Sequence, residues 1–315
     1  MSSFIEKSKM LETLVVSQGS IAHDLKLLEA ELIKTLSSTK KGYGVVISGD
    51  SGSGKTTLLN KFIEKSEQYV ASNKLDVSIV YMETPSNPVG KDLFEAMIEA
   101  AGSPGSDTDA LSRLKERKQQ LEIMKLIHSK NIRVWIFDEF QQITEKWREK
   151  KVRQTADFLK SLTNNLPILL VFAGTDKVKT LLENEQFNSR SSLIEKVQMH
   201  VDNAENYNLY LDYLTTLQAH LNIGGVDWDT PEIALPIFYD SRGDMRRISD
   251  ILQTTLTYLD GTGAKKLTKK SFSAAWKQRH NPKLNQSLPF KGNTFEQPIQ
   301  KIIDALDINY DVNKV

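Results

Sequence analysis

The stretch Gly44-Val45-Val46-Ile47-Ser48-Gly49-Asp50-Ser51-Gly52-Ser53-Gly54-Lys55-Thr56 decides the fold of this chain. A short β-like run leads into a loop of glycines and serines, and helix-forming sequence follows from Lys55 to about Lys65. The loop has the spacing G-x-x-x-x-G-K-[S/T] between a strand and a helix. In that setting backbone N–H groups point inward and surround a phosphate at the positive end of the helix. The pattern therefore predicts a nucleotide-binding phosphate loop.

The loop also predicts a role for individual side chains. Lys55 would reach the β- and γ-phosphates, and the Thr56 hydroxyl would bind Mg²⁺. The residues predicted to hold the nucleotide are Gly49, Asp50, Ser51, Gly52, Ser53, Gly54, Lys55, Thr56 and Thr57.

A second pattern is an apolar run that ends in two carboxylates, Asp138 and Glu139. Asp138 is placed to hold Mg²⁺ through water, and Glu139 to polarise the water that attacks the γ-phosphate. Acidic residues at the surface end of a strand are common, but the phosphate loop upstream favours the catalytic interpretation. We expect this strand, third in sequence, to lie beside the first. A Glu next to the Asp, without a guanine-reading N-K-x-D run, favours ATP over GTP.

Further β-like runs alternate with helical segments along the first two thirds of the chain. They cover residues 77–82, 133–137 and 168–172, and the last is a continuous apolar run behind Pro167. Continuous apolar runs are typical of strands buried on both faces of a parallel sheet. The predicted class is α/β with a parallel sheet, and a fifth strand is expected near Val197 to Val201.

The same pass along the chain predicts four segments. They are an N-terminal helical segment (1–40), an α/β nucleotide-binding domain (41–221), a small α-helical lid (222–280) and a C-terminal tail broken by prolines (281–315).

Composition excludes several kinds of chemistry. The 315 residues include no Cys, which excludes disulfides, thiolate metal sites and Cys nucleophiles, and the 5 His have no metal-ligand spacing. The first apolar stretch, near residues 10–16, is too short for an export signal or a membrane span, so we expect a cytoplasmic protein without a membrane partner. The balance of 41 Lys+Arg against 40 Asp+Glu leaves a net charge of +1 and says nothing about local charge segregation.

Two further residues are candidates for sensing or transferring phosphate. Thr175 follows the fourth strand, where a polar side chain would lie between the carboxylates and the γ-phosphate. The alternative is that Thr175 caps a helix from about Lys177 to Leu182. Arg190 comes after that helix, and in subunit rings an Arg at this place points into the neighbour's nucleotide. The alternative is an ordinary solvated arginine.

Arg246 and Arg247 lie on the first turn of a helix in the C-terminal third of the chain. Cations there oppose the helix dipole, so a compensating anion is the simplest account. Either arginine is a candidate for contacting the γ-phosphate from the lid.

Taken together, these motifs resemble an AAA+ ATPase of the initiator-like branch. Details are similar to the TniB/TnsC family, the ATPases of Tn7-like and Tn5053-like transposons, and the likeness covers roughly residues 40 to 260. The segments that carry it are Gly49–Thr56, Tyr81–Pro85, Gly90–Phe94, Phe137–Glu139, Val171–Asp176 and Gly243–Arg247.

The resemblance implies an AAA+ core with a five-stranded parallel sheet and a helical lid. It also implies ATP-dependent self-assembly into a ring or filament on double-stranded DNA, linking a target-selector protein to the transposase. Arg190 would then act in the neighbouring subunit. Lys91 matches a DNA-contacting segment of the family, and the charge pattern adds Arg113, Lys115, Arg117 and Lys118 as candidate DNA contacts, although such a cluster is also typical of a solvated helix face.

Two other functions remain open at this point. One is an initiator-like or helicase-loader-like AAA+ protein. Only about 35 residues follow Asn281, too few for the winged-helix module that an initiator usually carries. The other is a signalling or secretion-associated NTPase that binds protein instead of DNA.

Overall fold

The computed structural model describes most of the chain. The described residues are 4–13, 19–86, 93–102, 116–146, 149–183, 185–196, 198–263 and 266–279.

Five strands and twelve α-helices form the described part of the chain. The strands are β1 (Tyr43–Gly49), β2 (Ser78–Glu83), β3 (Ile132–Asp138), β4 (Leu169–Gly174) and β5 (Ser191–Lys196). The helices are α1 (Phe4–Thr13), α2 (Gly19–Ser37), α3 (Lys55–Ser72), α4 (Leu93–Ala100), α5 (Glu116–Ser129), α6 (Gln141–Lys146), α7 (Glu149–Asn165), α8 (Glu185–Asn188), α9 (Ala204–Leu221), α10 (Pro231–Ser241), α11 (Met245–Thr262) and α12 (Lys269–Arg279). A 3₁₀ helix, Asp176–Glu183, follows β4.

The strands form one parallel sheet in the order β2-β3-β4-β1-β5. The predicted α/β class with a five-stranded parallel sheet is confirmed. The expected contact between the first and third strands is wrong, because β4 lies between β1 and β3 and pairs with both. The fully buried run of β4 explains this central position, since each face and each edge of the strand is covered by protein.

The fifth strand is β5 at Ser191–Lys196, and the expectation of a strand near residues 197–201 is wrong. Among the described strands, this one is at the edge of the sheet and pairs with β1. Its side chains alternate: Ile194 is buried, whereas Leu193 is 42% exposed. Two serines and two charged residues accompany this alternation, so the segment lacks the continuous apolar run that identified the other strands.

Residues 19–197 form the first of two compact units. Apolar side chains of α2 and α3 cover one face of the sheet, and those of α4, α5 and α7 cover the other. The helix α2 therefore belongs to the α/β unit, whereas the sequence placed it in a separate N-terminal segment. Its apolar stripe, which includes Leu28 and Leu32, explains the difference, because both side chains are buried in the core that contains β1.

The second unit joins residues 1–18 to residues 198–315, and its described part is helical. Its core includes Leu11 from α1 together with side chains of α9 to α12. The ammonium of Lys7 donates a hydrogen bond of 2.5 Å to the carbonyl of Asn222, at the end of α9. The expected boundary at residues 221/222 lies inside this unit, because α9 contributes six leucine and tyrosine side chains to its core. They are Tyr207, Tyr210, Tyr213, Leu214, Leu217 and Leu221.

A buried ion pair connects β5 to α2 within the first unit. Lys196 Nζ lies 2.8 Å from Asp24 Oδ2, and the two side chains are only 3% and 12% exposed. A Cβ on Gly49 would collide with the carbonyl of Lys196, so the start of the phosphate loop packs directly against this residue. The pair therefore fixes the end of β5 beside the loop.

Removal of the lysine charge should leave Asp24 buried and unpaired. We expect Lys196→Met to lower the free energy of unfolding by about 3–5 kcal/mol, measured by urea denaturation. The double variant Lys196→Met/Asp24→Leu should recover most of that loss, because no buried charge then remains unpaired.

Lys125→Met is the matched control. Lys125 pairs with Glu122 at 3.3 Å but is 75% exposed, so its removal should cost about 0–1 kcal/mol. Equal losses for Lys196→Met and Lys125→Met would contradict the role assigned to the buried pair.

Candidate nucleotide-binding site

The loop after β1 has the backbone geometry of a phosphate cradle. Gly52 and Gly54 have φ values of 79° and 86°, in the left-handed region where a side chain is unfavourable. Gly54 is the N-cap of α3, so the loop ends directly at a helix N-terminus. The helix dipole and the unpaired N–H groups of its first turn favour an anion at this point.

Lys55 lies folded over this loop. Its side chain is buried, and its Nζ donates hydrogen bonds of 2.7 Å to the carbonyls of Gly49 and Asp50. Ser53 is also buried, and its Oγ has no hydrogen-bond partner within the described chain. A buried hydroxyl without a partner is costly unless a ligand satisfies it. The loop therefore presents both an ammonium and an unsatisfied hydroxyl to the space where a phosphate would bind.

Asp138 is the centre of a hydrogen-bond network at the carboxyl end of β3. Its side chain is 3% exposed, and its Oδ2 accepts hydrogen bonds from Thr56 Oγ1 at 3.1 Å and from the Tyr81 hydroxyl at 3.2 Å. Its Oδ1 accepts from the backbone N–H of Glu139 at 2.9 Å. A threonine hydroxyl beside a carboxylate is the oxygen-donor set that Mg²⁺ prefers, so these residues fit the cation.

Tyr81 is a residue of this site that the sequence analysis missed. It lies on the edge strand β2, opposite Ile136 and two register positions before the Glu83–Asp138 pair. Burial and then the Asp138 carboxylate raise the pKa of its hydroxyl to about 12. The hydroxyl therefore stays protonated and able to donate at neutral pH. The two-residue alternation of β2, which places Tyr81 and Glu83 on one side, was the available signal.

Glu139 has an unusual backbone conformation for a residue with a side chain. Its φ is 54°, in the left-handed region. Its Oε2 accepts a hydrogen bond from the amide of Gln141, and the Gln141 Oε1 accepts one from the N–H of Thr175 at 3.2 Å. The structure thus connects the ends of β3 and β4, and no sequence motif had singled out Gln141.

Thr175 lies at the end of β4, and its Oγ1 is buried without a partner in the part of the chain that the structure describes. The helix that follows is a 3₁₀ helix, and Val178 N donates to the Thr175 backbone carbonyl at 2.9 Å. The Thr175 side chain therefore makes no capping bond to this helix among the described residues.

Another network runs along the same edge of the sheet. Asp176 Oδ1 accepts a hydrogen bond of 2.5 Å from Ser48 and lies 3.0 Å from Lys179 Nζ, which also contacts Glu195 at 2.5 Å. The Ser48 hydroxyl and the Lys179 ammonium hold the pKa of Asp176 below its usual value. These contacts connect the ends of β1, β4 and β5 beside Lys55.

Arg190 lies at the opposite end of the sheet. Its backbone carbonyl accepts from Gly44 N at 3.0 Å, and its Nη1 donates to Asn164 Oδ1 at 2.6 Å. Gly44 and Gly49 are five residues apart on β1, which corresponds to about 16 Å along the strand. Arg190 is therefore too distant to contact the phosphate loop of its own chain.

Arg246 and Arg247 lie in the helical unit, exposed on the first turn of α11. Asp244 is the N-cap, and its Oδ1 accepts from the N–H groups of both arginines at 2.8 and 3.3 Å. The Asp244 carboxylate thus supplies a negative charge at the helix N-terminus, beside the two arginines.

The candidate DNA contacts are only partly described. Arg117 and Lys118 are exposed on the first turn of α5. Lys91, Arg113 and Lys115 lie outside the described residues. In the described segments of the chain, no helix is both long and apolar enough to cross a membrane.

The fold is similar to that of solved ORC proteins. ORC1 of Aeropyrum pernix in complex with DNA has a TM-score of 0.62 at 16% identity, over 84% of this chain and 66% of that chain. Drosophila ORC bound to DNA has a TM-score of 0.61 at 16% identity, over 91% and 70%. ORC2 of Aeropyrum pernix in ADPNP–ADP complexes has a TM-score of 0.59 at 14% identity, over 85% and 69%. These similarities show the AAA+ fold.

No curated protein matches this sequence significantly. The sequence profile described as "Bacterial TniB protein" matches residues 17–200, which include the phosphate loop, Asp138, Thr175 and Arg190. This match covers more than half of the chain, and the chain therefore belongs to the TniB family.

Proposed function

We propose that this protein is an ATP-dependent, oligomerising AAA+ regulator of DNA transposition. It binds double-stranded DNA and links a target-selector protein to transposase subunits in the bacterial cytoplasm. The observation that carries the ATPase part is the hydrogen bond between Thr56 and Asp138 beside the phosphate loop. The DNA and transposition parts are supported by membership of the TniB family.

The loop residues bind and orient the nucleotide. Backbone N–H groups of the loop from Gly49 to Thr57 surround the phosphates, and Lys55 moves from the carbonyls of Gly49 and Asp50 to the β- and γ-phosphates. Ser53 Oγ, which has no partner within the described residues, donates to a phosphate oxygen. A phosphate thereby replaces weaker partners of these groups with charge-assisted hydrogen bonds.

Thr56 and Asp138 hold Mg²⁺ in this proposal. The cation held there would supply positive charge that offsets the negative charge developing on the phosphates during hydrolysis. Tyr81 donates to the same oxygen of Asp138 as Thr56 does, so it keeps that carboxylate directed toward the loop.

Glu139 and Thr175 act on the γ-phosphate side of the site. Glu139 orients and polarises the attacking water, and the Thr175 hydroxyl senses the γ-phosphate. Support for the second role comes from the buried Thr175 Oγ1, which lacks a hydrogen-bond partner in the described segments and is located between the ends of β3 and β1. Arg246 and Arg247 are candidates for contacting the γ-phosphate, and support for this role comes from their exposed side chains.

Arg190 acts in the site of a neighbouring subunit. Support comes from its position at the end of the sheet opposite the phosphate loop, because a role in hydrolysis at that distance requires a second copy of the chain. Nucleotide bound between two copies then makes assembly dependent on ATP.

The DNA-binding residues are Lys91, Arg113, Lys115, Arg117 and Lys118. Arg117 and Lys118 are exposed, and neither forms an ion pair with a described residue, so both charges are available to phosphates. Each subunit contributes a few such contacts, and assembly adds them along the duplex.

Loss of the loop ammonium should abolish hydrolysis. We expect Lys55→Ala to reduce kcat for ATP by at least about 100-fold, because a preorganised charge on the phosphates is lost, and to prevent ATP-dependent assembly on duplex DNA. Phosphate release and electron microscopy measure the two effects. Lys61→Ala, on the same helix, removes a lysine that is 34% exposed and pairs with Glu64 at 3.1 Å, and it should behave like the wild type. Normal hydrolysis by Lys55→Ala would contradict the proposed site.

A mixing experiment tests whether Arg190 acts between subunits. Arg190→Ala should bind ATP normally and hydrolyse it about 1,000-fold more slowly, as for other arginines that act in trans. Glu139→Gln retains Arg190 but lacks the catalytic carboxylate. A mixture of the two inactive variants should regain activity. ATP bound to an Arg190→Ala subunit has an intact Glu139, and a neighbouring Glu139→Gln subunit supplies an intact Arg190. A mixture that stays inactive would mean that Arg190 does not act across the interface.

The salt dependence of binding tests the DNA contacts. Arg117→Glu/Lys118→Glu should weaken binding to random duplex DNA in a filter-binding assay and flatten the slope of log K against log salt by about 1.8, because two phosphate contacts are lost. Lys26→Glu/Lys40→Glu makes the same charge change at two exposed positions elsewhere in the unit and should leave the slope unchanged. Absence of duplex binding by the wild type would instead favour an NTPase that binds protein partners.

A further inference from the structure

Gln141 is the first residue of α6, the short helix directly after the acidic pair. Its side chain is only 6% exposed, although it is polar and lies beside the candidate catalytic residues. Burial of an amide is costly unless its donor and acceptor are both used. The partners of this amide therefore indicate why it is buried here.

Both ends of the Gln141 amide contact the site. Its Nε2 donates to Glu139 Oε2, and its Oε1 accepts from the N–H of Thr175 at 3.2 Å. One rigid amide plane thus connects the carboxylate at the end of β3 to the backbone at the end of β4. If the Thr175 backbone shifts, Gln141 Oε1 follows the Thr175 N–H. The Nε2 of the same amide, which donates to Glu139, then shifts as well.

The surrounding backbone leaves little freedom for this arrangement. A Cβ on Gly174 would collide with Gln141 Oε1, so the amide fits only because position 174 has no side chain. Phe140 N donates to the Ala173 carbonyl at 2.8 Å, which fixes the corner between β3 and α6 against β4. The left-handed φ of Glu139 is held by these contacts on either side of it.

The neighbouring glutamine shows that this arrangement is specific to position 141. Gln142 has the same side chain and is partly buried, but its Oε1 has no hydrogen-bond partner in the described part of the chain. Its backbone N–H donates to the Glu139 carbonyl at 3.0 Å, a contact that does not depend on the side chain.

We propose that Gln141 is a positioning residue that sets the Glu139 carboxylate according to the position of Thr175. The proposal rests on the ATPase function proposed above. When the Thr175 hydroxyl meets the γ-phosphate, the Thr175 backbone fixes the Gln141 amide, and the amide holds Glu139 in the orientation that directs the attacking water. In this role Gln141 acts on the attacking water through Glu139.

Replacement of Gln141 by glutamate removes one of the two amide hydrogen bonds and can keep the other. Gln141→Glu keeps the size of the side chain and an oxygen for the Thr175 N–H, but it replaces the donor to Glu139 with a carboxylate that repels it. Gln142→Glu introduces the same charge one residue later and is the matched control.

The kinetic test compares kcat, KM and nucleotide affinity. Gln141→Glu should lower kcat about 10- to 100-fold, the cost of misplacing a catalytic group, with KM and the Kd for a fluorescent ATP analogue unchanged. Gln142→Glu should keep the wild-type kcat. In a Glu139→Gln background, under single-turnover conditions, Gln141→Glu should cause no further loss, because Gln141 acts through Glu139.

A second readout needs no nucleotide. The shift of the urea midpoint caused by Gln141→Glu should be much smaller in the Glu139→Gln background than in the wild type, because an amide at position 139 can donate to the new carboxylate. Gln142→Glu should shift the midpoint equally in both backgrounds.

The outcomes separate this inference from the proposed function. A wild-type protein that binds no ATP refutes the function, and the inference with it. A wild type that hydrolyses ATP, with Gln141→Glu equal to Gln142→Glu in kcat, refutes the inference alone. An additive kcat loss in the Glu139→Gln background, or an additive midpoint shift, also overturns it, since Gln141 would then act independently of Glu139.

Discussion

The pairing of β4 with both β1 and β3 is the constraint on which the candidate site depends. It separates the phosphate loop from Asp138 by two strand spacings, about 10 Å, and places the end of β4 in the gap. Thr56, the second residue of α3, reaches across this gap to Asp138, and Thr175 directly follows the strand between them. A sheet with β1 beside β3 would bring the loop and the carboxylate together but would exclude Thr175 from the space between them.

Much of this arrangement could be predicted from the sequence, because it depends on local patterns. The phosphate loop follows from the spacing of its glycines and Lys55, and the buried strands follow from their continuous apolar runs. Strand order was harder, since both β3 and β4 are apolar enough to lie beside β1. The fifth strand was expected a few residues too late in the sequence, near residues 197–201. Its serines and charged residues conceal the alternation of Leu193 and Ile194.

The contacts that the sequence did not indicate are those between residues far apart in the chain. Tyr81 reaches Asp138 from 57 positions away, and Lys196 pairs with Asp24 from 172 positions away. Neither pair has a spacing motif, because strand pairing brings the first together and the packing of α2 against the sheet brings the second together. The arginines of α11 have a local partner that the helix-dipole argument left out, because Asp244, two and three positions earlier, caps the helix end. Gln141 is different again, since its role depends on the fit of one amide against Gly174.

The positions of Arg190 and the phosphate loop, at opposite ends of one sheet, give each subunit two unlike surfaces. If an arginine from one subunit enters the nucleotide site of the next, the contact is head-to-tail, and copies related in this way form a ring or an open helix but never a closed pair with two-fold symmetry. An open helix of such subunits is polar. At one end the terminal nucleotide lacks a neighbour's arginine, and at the other end an arginine has no nucleotide to meet. Hydrolysis is then slowest at the first of these ends and proceeds from the interior, so the two ends of the assembly differ in lifetime and offer different surfaces to any protein that binds there.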